Sequence, residues 1–234
     1  MRLDKYICKS SDLTLLQALE VIRDGDVKVN GVIQRHEKTQ IHKNNSVELK
    51  GVRLTPRAFR YLLMNKVAGT VCSNIDEVYP SVLSGLDIDN KAELHIVGRL
   101  DTDTTGMLLI TDDGSWSFHI TSPQSGCLKT YRVTLSKMIS TERAIEIKER
   151  FHKGLMLQGE VELTKPAIFK LLGPQEALLT LSQGKFHQVK RMFAAVGNRV
   201  TALHRQQIGG VMLDVKEGEW RCLTSQEVAS LSYA

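Results

Sequence analysis

The sequence lacks several features that would assign a protein to a familiar class at once. It has no long apolar run, so we expect no membrane span, and its first residues lack the apolar stretch of a signal peptide. Its four cysteines lie far apart without a Cys-x-x-Cys pair, which predicts a reduced, cytoplasmic protein without a zinc site. Glycine-rich phosphate loops and dinucleotide fingerprints are also missing, so we expect no ATP or NAD and no other cofactor.

Acidic residues are absent from three long windows, residues 49–75, 114–141 and 177–213. The net charge is only +5, but these windows carry 13 positive charges and the rest of the chain sums to −8. If the windows meet in the folded protein, they form a basic surface that suits a phosphate backbone. Chance clustering of solvated lysines and arginines is the alternative, and charge alone leaves both open.

The pattern of residues divides the chain into two domains. In residues 1–50, Thr14 and Gln17 form a capping box ahead of a helical apolar pattern, and Asn30-Gly31 is typical of a hairpin turn. Residues 51–58 show no periodicity and indicate a linker. We therefore predict a small α/β domain over residues 1–50 and a larger domain over residues 59–234.

The larger domain is predicted to be α+β, with a mostly antiparallel mixed sheet and flanking helices. Strands are predicted over residues 93–97, 107–111, 128–135, 167–172 and 177–182. Helices are predicted over residues 142–151, from His187 and from Thr224. The apolar residues of the helix from His187 recur at helical spacing and should face the core, which leaves Lys190 and Arg191 on the opposite flank.

The densest polar cluster is residues 98–106, between two predicted strands. Asp101, Asp103 and Thr105 match the first positions of a calcium-binding EF-hand loop, but the twelfth position is Asp112 and the flanks are not helical. We therefore expect no metal. A turn closed by local side-chain hydrogen bonds is one alternative. Another is a nucleophilic carboxylate, for which Lys190 or Arg191 would supply the nearby cation.

Four motifs, in order, resemble the RsuA branch of the pseudouridine synthase family. They are residues 98–101, 103–106, 129–131 and 184–193, and the likeness extends over nearly the whole chain. The resemblance implies an isomerase that flips one uridine out of 16S (small-subunit) ribosomal RNA. It would break the bond from N1 to C1′ and rejoin the base through C5, without metal or cofactor. It also implies that residues 1–50 are a small RNA-binding domain similar to that of a ribosomal small-subunit protein.

The resemblance further implies roles for single residues. Asp101 is the nucleophile, Tyr131 packs against the uracil, and Lys190 pairs with Asp101 and keeps it ionised. RNA contacts are expected from Arg99, Lys129, Lys185, His187, Arg191 and Arg205. Leu15 stands where this family has an arginine, which weakens the RNA binding expected of the first domain.

The expected partner is ribosomal RNA, within a small-subunit assembly intermediate. We expect a cytoplasmic monomer, because long exposed apolar stretches are lacking. A noncatalytic RNA-binding assembly factor that retains the fold is the alternative function. Replacing Asp101 separates the two, because only the enzyme would lose a modification while still binding RNA.

Overall fold

The computed structural model describes residues 1–76 and 78–232, and it divides the chain into two compact units, Met1–Ala58 and Phe59–Ala234. The predicted linker of residues 51–58 is therefore not a separate segment, since it lies within the first unit. Lys50 and Gly51 both have positive φ, 49° and 82°, and they turn the chain back into a further strand. Residues 51–58 contain only the two-residue strand Val52–Arg53, which is too short to show a periodicity, and this is why the sequence indicated a linker.

The first unit consists of two helices followed by a small antiparallel sheet. The helices are α1 (Leu3–Ser10) and α2 (Leu15–Asp24), and the strands are β1 (Val27–Val29), β2 (Val32–Ile33), β3 (Val47–Leu49) and β4 (Val52–Arg53). The strand order is β2-β1-β3-β4. The predicted hairpin is confirmed, with Asn30 and Gly31 both at positive φ between β1 and β2.

The predicted capping box of α2 is also confirmed. The Thr14 hydroxyl accepts from the Gln17 backbone N–H, and the Gln17 side chain accepts from the Thr14 N–H. The apolar sides of both helices then pack on the sheet in a core of their own. That core contains Leu3, Ile7, Ala18, Ile22, Val27, Ile41 and Val47.

The second unit contains both strands and helices. Its strands are β5 (Tyr61–Lys66), β6 (His95–Val97), β7 (Thr105–Thr111), β8 (Lys129–Leu135), β9 (Ile168–Gly173), β10 (Glu176–Leu181), β11 (Val200–Ile208), β12 (Val211–Met212) and β13 (Trp220–Cys222). Its helices are α3 (Gly114–Thr121), α4 (Thr141–Lys153), α5 (Gln188–Ala195) and α6 (Ser225–Ser232), with a short 3₁₀ helix at Lys91–Glu93.

These strands form one nine-stranded mixed sheet with the path β13-β5-β7-β11-β8-β10-β9. Strand β12 pairs with β11, and β6 pairs with β7. The pair β7·β11 is parallel, and every other strand pair described in this sheet is antiparallel. The predicted α+β class, with a mostly antiparallel mixed sheet and flanking helices, is therefore confirmed.

The central strands are buried on both faces because helices cover both sides of the sheet. On β7, Leu108 and Ile110 face one core and Met107 and Leu109 face the other. Helices α4 and α5 cover the first face, and α3 and α6 cover the second. Helices therefore cover both faces of the sheet, and the polar groups lie at the strand ends and in the loops.

The helices predicted at residues 142–151, after His187 and after Thr224 are all confirmed. In this unit, the sequence did not predict α3, the short 3₁₀ helix or the strands β5, β11, β12 and β13. Helix α3 has a balanced distribution of apolar residues, so helical periodicity does not reveal it. Its start is instead fixed by Asp113, whose carboxylate accepts from the backbone N–H groups of Ser115 and Trp116.

Candidate active site

The loop of residues 98–104 joins β6 to β7 and carries the predicted nucleophile. Gly106, just after it, has φ of 103° and lies against the backbone of Arg205 in the neighbouring parallel strand. A Cβ at Gly106 would lie 2.7 Å from the Arg205 backbone nitrogen, which is too close for any other residue. A glycine is therefore needed to bring the loop and β11 together.

Arg205 connects the two strands that carry site residues. In β11 it pairs with Gly106 of β7 on one side and with Tyr131 of β8 on the other. Its guanidinium donates to the carbonyls of Met107, at 2.7 Å, and Gly98, at 2.8 Å. One buried side chain thus holds the start of the loop and the strand that follows it.

Asp101 and Asp103 share one ammonium group. The Lys190 Nζ lies 3.0 Å from Oδ2 of Asp101, and 2.7 and 2.9 Å from the two carboxylate oxygens of Asp103. Lys190 comes from α5, on the flank opposite its buried apolar residues, as the sequence predicts. The ion pair that the resemblance implies is present, and Asp103 is a second partner that the sequence did not predict.

The electrostatics of this cluster favour the charged forms of Lys190 and Asp103. Burial works against the ammonium of Lys190, but its hydrogen bonds to Asp103 and Asp101 outweigh that cost and raise its pKa. The Lys190 hydrogen bond in turn lowers the pKa of Asp103. The side chains of Asp101 and Lys190 are 29% and 27% exposed, so a ligand in the pocket can reach both.

Lys66, at the end of β5, holds the loop through hydrogen bonds. It is almost fully buried, and its Nζ donates to the carbonyls of Val67, Thr102 and Thr104 at 2.9 to 3.2 Å. Burial lowers the pKa of this lysine. The loop that carries Asp101 thus accepts two hydrogen bonds from this side chain, at Thr102 and Thr104, and the third ties Lys66 to the segment after β5. A lysine at the end of a mostly apolar strand was the signal for it in the sequence.

Tyr131 and Asp101 line the same open pocket, which has an empty volume of about 460 Å³. The other lining residues are Arg99, Leu100, Thr104, Leu181, Gln183, Gly184, Lys185, His187, Gln188, Val189, Lys190 and Leu203. Tyr131 is buried apart from this opening, so an aromatic wall faces the pocket. Arg99 is exposed, and the described residues offer it no hydrogen bond or ion pair.

His187 occupies the residue before α5 with a left-handed backbone, φ 48°. Its Nε2 lies 3.5 Å from Asp101 Oδ1, and its ring stacks on the exposed ring of Phe186 with centroids 3.8 Å apart. Both rings therefore lie at the rim of the pocket beside the carboxylate. The structure brings together Asp101, Tyr131, Lys190, Arg99 and His187, five of the residues singled out from the sequence.

Lys185 and Arg191 reach the same rim but already have a partner. Their nitrogens lie 2.6 and 2.9 Å from the two carboxylate oxygens of Glu160, in the loop after α4. The hydrogen bonds from Lys185 and Arg191 lower the pKa of Glu160. Sequence reasoning missed this acid, and no local pattern around it indicates a partner across the fold.

Two expected RNA-contacting residues, Lys129 and Arg205, are corrected by the structure. Lys129 is buried, and its Nζ donates to the carbonyls of Ile120 and Cys127 at 3.0 and 2.9 Å. Arg205 is 2% exposed and holds carbonyl groups in the interior. A phosphate cannot reach either group in this structure, so both are part of the scaffold. Burial lowers the pKa of Lys129.

The fold around this loop differs from that of a calcium-binding EF-hand. Strands β6 and β7 flank the loop where an EF-hand needs helices, and the Lys190 ammonium lies between Asp101 and Asp103. Among residues 1–76 and 78–232, no cluster of three or more His, Cys, Asp or Glu side chains could hold a metal ion. In the same residues, no helix combines the length and hydrophobicity needed to cross a bilayer.

Comparison with known proteins identifies the family. Residues 60–195 match the family described as RNA pseudouridylate synthase. The chain is 46% identical to ribosomal small subunit pseudouridine synthase A of Vibrio cholerae and 45% identical to that of Escherichia coli, each match covering 99% or more of both chains. A crystal structure of a pseudouridylate synthase matches 99% of each chain with a TM-score of 0.71 at 43% identity. The four motifs, the site they form and these full-length relatives agree: the chain belongs to the RNA pseudouridylate synthase family.

Proposed function

We propose that the protein isomerises one uridine to pseudouridine in small-subunit (16S) ribosomal RNA, with Asp101 as the nucleophile. The substrate follows from the relatives, which are named as small-subunit enzymes and match the chain over its full length. The observation that supports Asp101 is its position in a pocket, beside the ammonium of Lys190 and across from the buried ring of Tyr131.

The geometry supports a defined sequence of steps. Arg99 and the rings of Phe186 and His187 lie where they can hold RNA at the rim while the uridine leaves its stack. Extrusion of a base costs a few kcal/mol, and stacking on an aromatic side chain offsets about 1–3 kcal/mol. Tyr131 offers such a surface inside the pocket.

The covalent chemistry needs no group beyond this chain and water. The Asp101 carboxylate bonds to C1′ as the N1–C1′ bond breaks, and the uracil turns in the pocket. C5 then attacks C1′ and displaces Asp101, the proton on C5 passes to solvent, and N1 takes up a proton. Lys190 supplies the counterion that an ionised nucleophile needs before the first step and after the last.

Release of tritium from RNA labelled at uracil C5 tests the proposal. We expect release by the wild type and by Asp87→Asn, which removes an exposed carboxylate with no partner among the described residues. We expect none by Asp101→Asn, although its RNA binding is retained. Release by Asp101→Asn would overturn the nucleophile. A wild type that releases no tritium from any small-subunit RNA would support the noncatalytic assembly factor.

We further propose that the substrate is a small-subunit assembly intermediate and that the protein acts as a cytoplasmic monomer. The support is chemical, because uridines of a mature subunit are paired, stacked or covered by protein and are costly to extrude. Tritium release from naked RNA, from partly assembled particles and from mature subunits compares the substrates directly. Light scattering of the purified protein measures its oligomeric state.

A further inference from the structure

Glu160 places a carboxylate at the pocket rim that the proposed chemistry does not use. One of its oxygens accepts from Lys185 at 2.6 Å and the other from Arg191 at 2.9 Å. All three side chains are about one quarter exposed. We refer to Lys185, Arg191 and Glu160 as the rim cluster. An acid in this position repels RNA phosphates, so its presence at the opening needs an explanation.

The arrangement matches the way proteins hold a phosphodiester. Two oxygens on one centre each accept from a different cation, as the two nonbridging oxygens of a phosphate would. The rim cluster also adjoins the reacting groups, since Lys185 lines the pocket with Asp101, and Arg191 follows Lys190 in α5. The two cations are thus placed to hold a phosphate next to a flipped nucleotide.

The segment that carries Glu160 can release it without unfolding. The base of the loop is fixed by hydrogen bonds between Leu155 and Thr164, and Leu157 is buried in the core. Gly159 has φ of 79°, and no atom lies within 4 Å of the position that its Cβ would take, so no packed side chain holds the backbone beside Glu160. The turn is closed by hydrogen bonds from the Glu160 N–H to the Leu157 carbonyl and from Arg191 to the Gln158 carbonyl. The neighbour Val161 is 94% exposed. A movement of Glu160 and its neighbours therefore costs little packing.

We propose that Lys185 and Arg191 form an RNA phosphate subsite that Glu160 occupies in the free protein and that RNA opens by displacing its carboxylate. This rests on the proposed function, because the ligand is the RNA substrate. The exchange replaces one anion with another, so the two cations are never left without a counterion near the pocket. It also disfavours anions that cannot displace Glu160, which is a form of selectivity.

Glu160→Gln tests the proposal, because it removes the charge and keeps the shape. Its matched control is Glu149→Gln, which makes the same change in net charge at an exposed residue of α4 without a partner among the described residues. We expect Glu160→Gln to bind a small-subunit RNA transcript about 3- to 10-fold more tightly than Glu149→Gln at 0.15 M salt. Equal or weaker binding would overturn the proposal and assign Glu160 to positioning Lys185 and Arg191.

Hydrogen exchange of the wild type gives a second test that does not depend on a variant's folding. Displacement of Glu160 by the transcript should speed amide exchange in residues 158–163, whereas slower exchange there would contradict it. Tritium release from the same preparations reports separately on the proposed function. If the wild type binds RNA but releases no tritium, the reaction fails while the binding comparison stands. If tritium is released and both variants bind equally, only the subsite fails.

Discussion

Replacement of Gly106 by alanine should strongly destabilise the second unit. Two independent costs meet at this residue, because its φ of 103° disfavours a side chain and the backbone of Arg205 fills the space for one. The new Cβ would lie 2.9 Å from the Arg205 carbonyl carbon and 2.7 Å from its nitrogen. Neither atom can rotate away as the end of a flexible side chain could.

The magnitude follows from the two costs. A left-handed backbone costs a residue with a Cβ about 1–2 kcal/mol, and forcing packed groups apart costs about 1–3 kcal/mol. We therefore expect the free energy of unfolding to fall by about 2–5 kcal/mol, out of the roughly 5–15 kcal/mol typical of a domain. Because Arg205 also pairs with Tyr131, a displaced β11 would disturb the pocket wall as well.

Urea unfolding followed by tryptophan fluorescence measures this effect. Both tryptophans, Trp116 and Trp220, lie in the second unit, so the signal reports on that unit. The control is Gly114→Ala, at the start of α3, where φ is not positive and no atom lies within 4 Å of the added Cβ. We expect it to match or exceed the wild type, by up to about 1 kcal/mol. A Gly106→Ala protein within about 0.5 kcal/mol of the wild type, the usual range for substitutions at unconstrained surface residues, would refute the reasoning.

Three further predictions concern buried or paired charges. Lys190→Gln should slow tritium release about 100- to 1,000-fold because Asp101 and Asp103 lose their shared cation. The control Lys148→Gln should release tritium at the wild-type rate. A rate that falls less than tenfold in Lys190→Gln would contradict the role of Lys190 as counterion. Lys66→Met should lower the free energy of unfolding in urea by about 2–4 kcal/mol, since the carbonyls of Val67, Thr102 and Thr104 lose their donor; an unchanged free energy of unfolding would contradict it. The Arg221 hydrogen bond lowers the pKa of Glu227 from 4.5 to about 2, so its stabilisation is full above pH 4.5 and is lost as the pH falls toward 2. Glu227→Gln should therefore be less stable at pH 7, by up to about 3 kcal/mol, and the deficit in urea titrations should shrink below pH 4.5; a deficit independent of pH would contradict the assignment.

Local patterns in the sequence were enough to place most of the secondary structure. Thr14 with Gln17 and Thr224 with Glu227 are reciprocal caps within four residues, and the structure has both. Strand β11 was not predicted because its polar and apolar residues do not alternate regularly. A charged residue, Arg205, is among its buried residues. A buried arginine that bonds to carbonyls of other segments cannot be told from an exposed one by its neighbours in sequence.

The site residues that belong to sequence motifs could be predicted. The site contacts between residues far apart in the chain could not. The motifs identified Asp101 and Lys190, whose ion pair the structure contains. Lys129 could have been corrected from the sequence alone, since it shares the inward-facing alternation of Tyr131 and the later residues of β8. Asp103 had no such signal, because its contact with Lys190 joins residues 87 positions apart.

The acid-free windows illustrate the same limit for charge. Each window lacks acids along the chain, yet its cations find carboxylates elsewhere in the fold. Arg60 pairs with Asp112, and Arg132 pairs with Glu176. Lys66, Lys129 and Arg205 are buried on carbonyl groups, while Lys185, Lys190 and Arg191 are paired at the pocket.

The 13 positive charges of these windows therefore do not form one open basic surface. In the protein without RNA, most of them already donate hydrogen bonds to carbonyl groups or pair with carboxylates. The charge that RNA meets at the pocket consists of the unpaired Arg99 and of cations that RNA must share with Asp101, Asp103 or Glu160. Only phosphates that are neutralised by a protein cation contribute to the salt dependence of binding. The RNA affinity at this pocket should therefore fall less steeply with salt concentration than it would if all 13 cations contacted phosphates. The affinity for RNA is then governed by exchange of partners at the rim, and net charge is a poor guide to it.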